Sequence, residues 1–301
     1  MVVEHMTDEN NDQIPNWFRE IMPGGTHSGF LRKSEKHSLV FIQRERPVLM
    51  VSFDNLSNVS NSSTERQPWA YKFCKTHDIS HLGVMASSPS WFRDTWLIEQ
   101  LENLAADGFF KGYERVVLSG TSMGAFAALT FAGLAPGSHV IALNPQTTLD
   151  TKIVPWEERF WRGRQQDWSL PYSDAIEGAK AAARVNLFYD PYFAPDVQQA
   201  ARLDMANVTT FKCWYSSHKS AVFLRKIDAL KTVMTAATFG ELTQENFYAM
   251  YRKRRELRWY AGTLAEYFAE SGREKTAEIT LQLFRTEKRK RTKQQLDNPA
   301  T

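Results

Sequence analysis

Gly120-Thr121-Ser122-Met123-Gly124 is the stretch of this 301-residue chain whose residue types and spacing point most directly to chemistry. A serine hydroxyl is a weak nucleophile until a base takes its proton during attack. By composition alone a glycine-x-serine-x-glycine run arises in about one chain in ten of this length, so the pentapeptide counts only in its setting. That setting is specific. The strand-like Tyr113–Leu118 ends directly before it, and the small-residue run Gly124-Ala125-Phe126-Ala127-Ala128-Leu129 starts a helix inside it. A serine on a sharp strand-to-helix turn projects its hydroxyl above the sheet. The flanking glycines are needed because a side chain there would strike neighbouring backbone, and the alanines let the helix pack close. The plainer alternative is a glycine-rich turn with an incidental serine.

Other chemistries lack their signatures. There is no HExxH, no paired CxxC, no aspartate cluster, and neither the GxGxxG nor the GKS/T phosphate loop, so no metal and no cofactor is called for. Lysine plus arginine number 37 against 34 aspartate plus glutamate, a net charge of +3. That is no nucleic-acid footprint. Residues 241–301 carry 13 basic and 9 acidic residues, and the run Lys288-Arg289-Lys290-Arg291-Thr292-Lys293 is expected to be solvated. Cys74 and Cys213 cannot form a disulfide framework for a chain of this size. The acidic start MVVEHMTDENNDQ has no secretory pattern. No segment reaches the roughly 18–20 apolar residues of a membrane span, so a cytoplasmic protein is expected.

The elements that must position the serine alternate. Strands are predicted over Ser38–Arg44, Pro47–Phe53, His81–Met85, Tyr113–Leu118, His139–Leu143, Val185–Tyr189 and Val208–Tyr215. Between and after them helices are predicted over Trp69–Thr76, Thr95–Ala106, Ser122–Ala132, Ala175–Ala183, Asp196–Leu203 and Ala221–Thr232. Alternation of this kind implies right-handed crossovers and a mostly parallel sheet flanked by helices. Residues 1–28 read as a lead-in, 29–240 as the α/β domain, and 241–301 as a helical C-terminal extension with a basic tail. Residues 144–172 break the rhythm as an insertion carrying Trp156, Phe160, Trp161 and Trp168. These aromatics, with Arg159, Arg162 and Arg164 between them, fit either the lining of a pocket for an acyl chain or a sugar face, or a Glu157–Gln166 helix that packs its aromatic face on the core and shows its arginines to water.

Over residues 38–232 the sequence resembles the α/β-hydrolase superfamily, with GTSMG as its most specific part. The resemblance implies a triad in the order serine, acid, histidine, the acid following one late strand and the histidine the next. On this chain the nucleophile is then Ser122, the acid Asp190 at the end of Val185–Tyr189 with Asp196 as its competitor, and the base His218. Asp190 is preferred because it ends the strand, whereas Asp196 is placed to cap a helix. The oxyanion amides are expected from Met123 and from Asn55, with Leu56 next. The family often has histidine-glycine where this chain has Asp54-Asn55, and Asp54 reads as structural. The insertion matches the family's lid position, and Trp91 and Arg93 fall on the same expected side.

The activity implied is hydrolysis of an ester or thioester through an acyl-enzyme. Transfer of the acyl group to a glycan or other alcohol is the alternative, as in distant relatives from bacterial surface-glycan pathways. A non-catalytic interaction protein on the same scaffold is the third reading. The partners expected are a small-molecule, lipid or glycan ester and, through the apolar C-terminal helices, a protein or a second copy. Nucleic acid is not expected.

Overall fold

The computed structural model describes residues 14–297 except Asn16, Ser60, Ser62 and Thr64; the expected lead-in therefore lies outside the described residues up to residue 13. Eight strands form one sheet: β1 (Gly29–Lys33), β2 (His37–Ile42), β3 (Arg46–Phe53), β4 (Ile79–Ala86), β5 (Arg115–Thr121), β6 (His139–Leu143), β7 (Arg184–Tyr189) and β8 (Val208–Lys212), in the order β1-β2-β4-β3-β5-β6-β7-β8. β1, at the edge, pairs antiparallel with β2, and β2 antiparallel with β4, while β3 pairs in parallel with both β4 and β5, and β5 with β6. The chain divides into two compact units, residues 1–187 with 198–209, and residues 188–197 with 210–301.

In the first unit, Val48–Phe53 of β3 is buried on both faces, as a continuous apolar run in a covered parallel sheet must be. Helices α1 (Leu56–Val59), α2 (Tyr71–His77), α3 (Thr95–Ala106), α4 (Met123–Thr130), α5 (Trp161–Arg164) and α6 (Ala175–Ala181) belong to it, and α7 (Ala194–Ala201) runs across its boundary. α3 starts where the Asp94 carboxylate caps the Leu97 amide, and it buries Leu97, Ile98, Leu101 and Leu104, the three- and four-residue spacing of a one-faced helix. Every residue of α4 is buried; its alanines bring the helix axis close to the sheet. After β3 the chain goes to one side of that strand, to β4, and then crosses back to β5 on the other. A crevice opens where connections diverge this way, at the carboxyl ends of the strands. The register puts Phe53 opposite Gly120 and Thr121 opposite Leu143. Residues 54–55, 122 and 144 thus leave three adjacent strand ends.

The second unit holds α8 (Ser220–Lys226), α9 (Leu230–Phe239), α10 (Gln244–Tyr251), α11 (Arg258–Glu270) and α12 (Glu274–Asp297). The expected single helix Ala221–Thr232 is two, because Asp228 turns left-handed at φ 56°. α10 opens with a capping box between Thr243 and Asn246 and buries Phe247 and Tyr251 completely among Phe188, Phe211 and Phe223. Phe247 and Tyr251 of the C-terminal stretch are therefore core within this unit, while Tyr267 of α11 and Ile279 and Leu283 of α12 remain exposed. Among the described residues no helix is long and apolar enough to cross a membrane.

Candidate active site

Ser122 sits between β5 and α4 with φ 54° and ψ −116°, a left-handed conformation that costs a non-glycine residue about 1–3 kcal/mol. The surroundings dictate it. Its amide donates to the Leu143 carbonyl at 2.9 Å, and its own carbonyl accepts the Ala125 and Phe126 amides at 2.9 and 3.0 Å, opening the helix. A Cβ on Gly124 would lie 2.5 Å from the Phe53 oxygen and 2.7 Å from that of Asp54, and one on Gly120 would strike the Gly124 backbone. Both glycines are thus fixed by close approach of main chain. The Met123 amide is the first of α4, at the positive end of an eight-residue helix where developing negative charge is favoured.

The loop after β3 departs from the expectation. The Asn55 amide donates to the Asn58 side-chain oxygen at 3.2 Å, and the Asn55 side chain accepts the Ser57 and Asn58 amides at 2.8 and 3.2 Å. The amide proposed for an oxyanion is spent on its own turn. Asp54 is fully buried; it accepts from the Ala86 amide at 3.0 Å and from the Arg66 guanidinium. Burial pushes its carboxyl up to about 6 despite the arginine.

A residue that the sequence reading passed over meets the serine. Gln146, fully buried and three residues beyond β6, donates from Nε2 to Ser122 Oγ at 3.2 Å. Only its place just after a strand in the adjacent register marks it, since no motif includes it. Of the insertion's expected helix only the single turn α5 forms. Phe160 packs on Trp91 and Trp168 on Phe126, whereas Trp156 and Trp161 face solvent. Arg93 donates to the carbonyls of Asp167, Leu170, Pro171 and Tyr172 at 2.6–3.3 Å, which ties down the insertion's far end.

In the second unit the imidazole of His218 meets Asp196. Its Nδ1 lies 2.8 and 2.9 Å from the two carboxylate oxygens, with Asp196 1% and the imidazole 21% exposed. Asp190, the strand-ending carboxylate that the sequence favours, instead accepts the Ser217 amide at 2.7 Å and the Tyr192 amide at 3.0 Å. Burial raises its pKa, and those amides oppose the rise. The arrangement has a simple cause. The strand end puts Asp190 where the next loops' amides arrive, while Asp196, inside the first turn of α7 rather than at its cap, turns its carboxylate to the ring. Asp190 shapes the backbone just before His218; Asp196 holds the imidazole.

No family profile and no curated protein matches the chain. Among solved structures it is similar to the capsule O-acetyltransferase of Neisseria meningitidis serogroup A, at 11% identity over 68% of this chain and 93% of that one, TM-score 0.48. It is also similar to Est1E from Butyrivibrio proteoclasticus, at 12% identity over 70% and 99%, TM-score 0.44, and to the Staphylococcus aureus fluorophosphonate-binding serine hydrolase F, at 12% over 70% and 98%, TM-score 0.43. By its own strand order and its serine elbow, the chain has the α/β-hydrolase fold.

Proposed function

We propose that the protein is a serine hydrolase that cleaves an ester or thioester through an acyl-enzyme. The observation that carries this reading is the elbow: Ser122 is held in a costly conformation by two glycines that nothing larger could replace. Backbone strain of this kind is kept where it serves a reactive geometry. In the proposed reaction Ser122 Oγ attacks the acyl carbonyl and its proton passes to His218 Nε2, since Nδ1 is committed to Asp196. The Asp196 carboxylate fixes the tautomer and stabilises the imidazolium. The tetrahedral oxyanion is received by the Met123 amide at the start of α4 and by a second amide proposed from the loop after β3, at Asn55 or the neighbouring Leu56. His218 then protonates the leaving alcohol or thiol, and water resolves the acyl-enzyme.

An alcohol such as a sugar hydroxyl would resolve the same acyl-enzyme by the same proton route, so one experiment addresses both outcomes. The purified chain is treated with a fluorophosphonate probe, then supplied with esters graded by acyl length, with and without a glycan acceptor. Labelling that disappears in Ser122→Ala, together with release of free acid, is expected. Labelling that persists in Ser122→Ala removes the reading, and acyl-glycan product in place of free acid shifts it to transfer.

A further inference from the structure

The groups behind Ser122 form a closed relay. Trp91, 1% exposed, donates its indole Nε1–H to Gln146 Oε1 at 3.0 Å, and Gln146, 0% exposed, donates from Nε2 to Ser122 Oγ at 3.2 Å. An indole nitrogen only donates. It therefore selects the amide oxygen and leaves the NH2 group facing the serine, so the orientation of Gln146 is set by chemistry. An Oγ that accepts this N–H must turn its own proton another way, which pre-sets the direction from which a base collects it.

The indole is itself held from several sides. Trp91 and Phe92 adopt consecutive left-handed conformations at φ 47° and 57°, a strain that persists only where the surroundings over-determine it. The Phe160 ring stands 5.3 Å from that of Trp91. A Cβ on Gly163 of α5 would lie 2.6 and 2.8 Å from the indole carbons, so the insertion's backbone rests directly on the ring.

We infer that Gln146 is a catalytic hydrogen-bond donor to the Ser122 nucleophile, with Trp91 as the positioning residue that fixes its amide and the insertion as the wall that fixes Trp91. The assignment rests on the reading of Ser122 as nucleophile. As Oγ gives up its proton and gains negative charge, the N–H bond from Gln146 strengthens, since hydrogen bonds to charged acceptors are about twice as strong as neutral ones. Once Oγ is an ester oxygen it is a poorer acceptor and that advantage falls away. The donor therefore favours the attacking oxygen over both the resting serine and the acyl-enzyme.

The test measures the second-order rate of fluorophosphonate labelling on the full chain between pH 5 and 8. Gln146→Glu keeps the shape and the acceptor for Trp91 but presents a carboxylate to Oγ. Labelling is expected to fall about 10- to 100-fold near neutrality, and its ratio to wild type to recover towards acid as the introduced carboxyl gains a proton to donate. Trp91→Phe, which keeps a ring against Gly163 and loses only the N–H partner, is expected to lower the rate about 3- to 10-fold, with kcat for a small ester falling and KM unchanged. Gln146→Met, an apolar replacement of similar length, with a melting temperature near wild type, separates a lost donor from a misfolded protein. Wild-type rates in Gln146→Met and Trp91→Phe, or a Gln146→Glu ratio flat with pH, overturn the assignment. Failure of the wild type to label, or labelling that survives in Ser122→Ala, instead overturns the nucleophile on which it rests.

Discussion

His37 and His218 each have an aspartate carboxylate near Nδ1, and their surroundings differ in solvation and in backbone. His37 contacts the Ser90 hydroxyl through Nε2 at 2.9 Å and has Asp94 at 3.5 Å from Nδ1, so residue types alone make Ser90, His37 and Asp94 a second serine-histidine-aspartate set. That imidazole is completely buried, and burial pushes it down to about 4 against the pull of Asp94. A ring so reluctant to carry a proton is a poor base near neutrality. Its carboxylate is already engaged as the cap of α3, and its serine accepts the Phe92 amide at 3.2 Å. His218, by contrast, keeps a fifth of its side chain in solvent and has both oxygens of Asp196 within 2.9 Å. Ser122, unlike Ser90, stands at the start of a helix on strained backbone. The first set is a joint between β2 and the approach to α3. The lesson is that a serine, a histidine and an aspartate in mutual reach do not by themselves make a reactive group; solvation and backbone set Ser90 and His37 apart from the roles proposed for Ser122 and His218.

The sharpest way to break that contrast is to alter the two carboxylates. Asp196→Asn is expected to lower labelling and turnover by about 10³- to 10⁴-fold through loss of the imidazole's tautomer control, while Asp94→Asn leaves labelling unchanged. Asp190→Asn, which keeps an acceptor for the Ser217 amide, should fall between them. A larger loss in Asp190→Asn than in Asp196→Asn would return the acid role to the strand end.

A smaller effect concerns acid stability. Because the folded-state pKa of His37 lies below its ordinary 6.5, the unfolded chain binds the extra proton first, and stability present above pH 6.5 is lost as pH falls towards 4. The span corresponds to roughly 3 kcal/mol. Asp94 and Lys36 are the charges that act on the ring, and the buried His81, pushed down to about 3, titrates in the same sense. Denaturant midpoints measured across pH 4–7 should show the decline, and His37→Gln should flatten part of it. An unchanged slope in that variant would mean the ring titrates as it does in water.

The smallest effect is that of Ser90→Ala. Losing the bonds to His37 and to the Phe92 amide should cost about 1–2 kcal/mol, read as a fall of a few degrees in Tm. Fluorophosphonate labelling should not change. Reduced labelling in this variant would erase the distinction between the two sets.

The elbow was legible because its requirements are local: two glycines, a strand and an alanine-rich helix, all within Tyr113–Leu129. The parallel strands were legible from their apolar runs. The antiparallel edge strand β1 was not, since Gly29–Lys33 follows a proline- and glycine-rich stretch and alternates only between half-buried and exposed. The break at Asp228 escaped notice because helical spacing does not register one left-handed residue. The partner of His218 was narrowed to two aspartates and no further. Choosing between Asp190 and Asp196 depends on which carboxylate the loop amides capture, and spacing does not record that. Gln146 left no trace, because a lone glutamine acquires meaning only from the indole and the hydroxyl on either side of it.

The Arg93 clamp has a consequence for how this molecule can diversify. Its guanidinium grips the main-chain oxygens of Asp167, Leu170, Pro171 and Tyr172, and every amino acid supplies such an oxygen. The anchoring of that segment is therefore indifferent to its spelling. Side chains facing solvent there, and at Trp156 and Trp161 earlier in the insertion, are open to exchange for others while the backbone stays moored. A library randomised over those positions, with Arg93 kept, should return folded members at high frequency. One basic residue thus lets the surrounding surface be rewritten without renegotiating the scaffold beneath it.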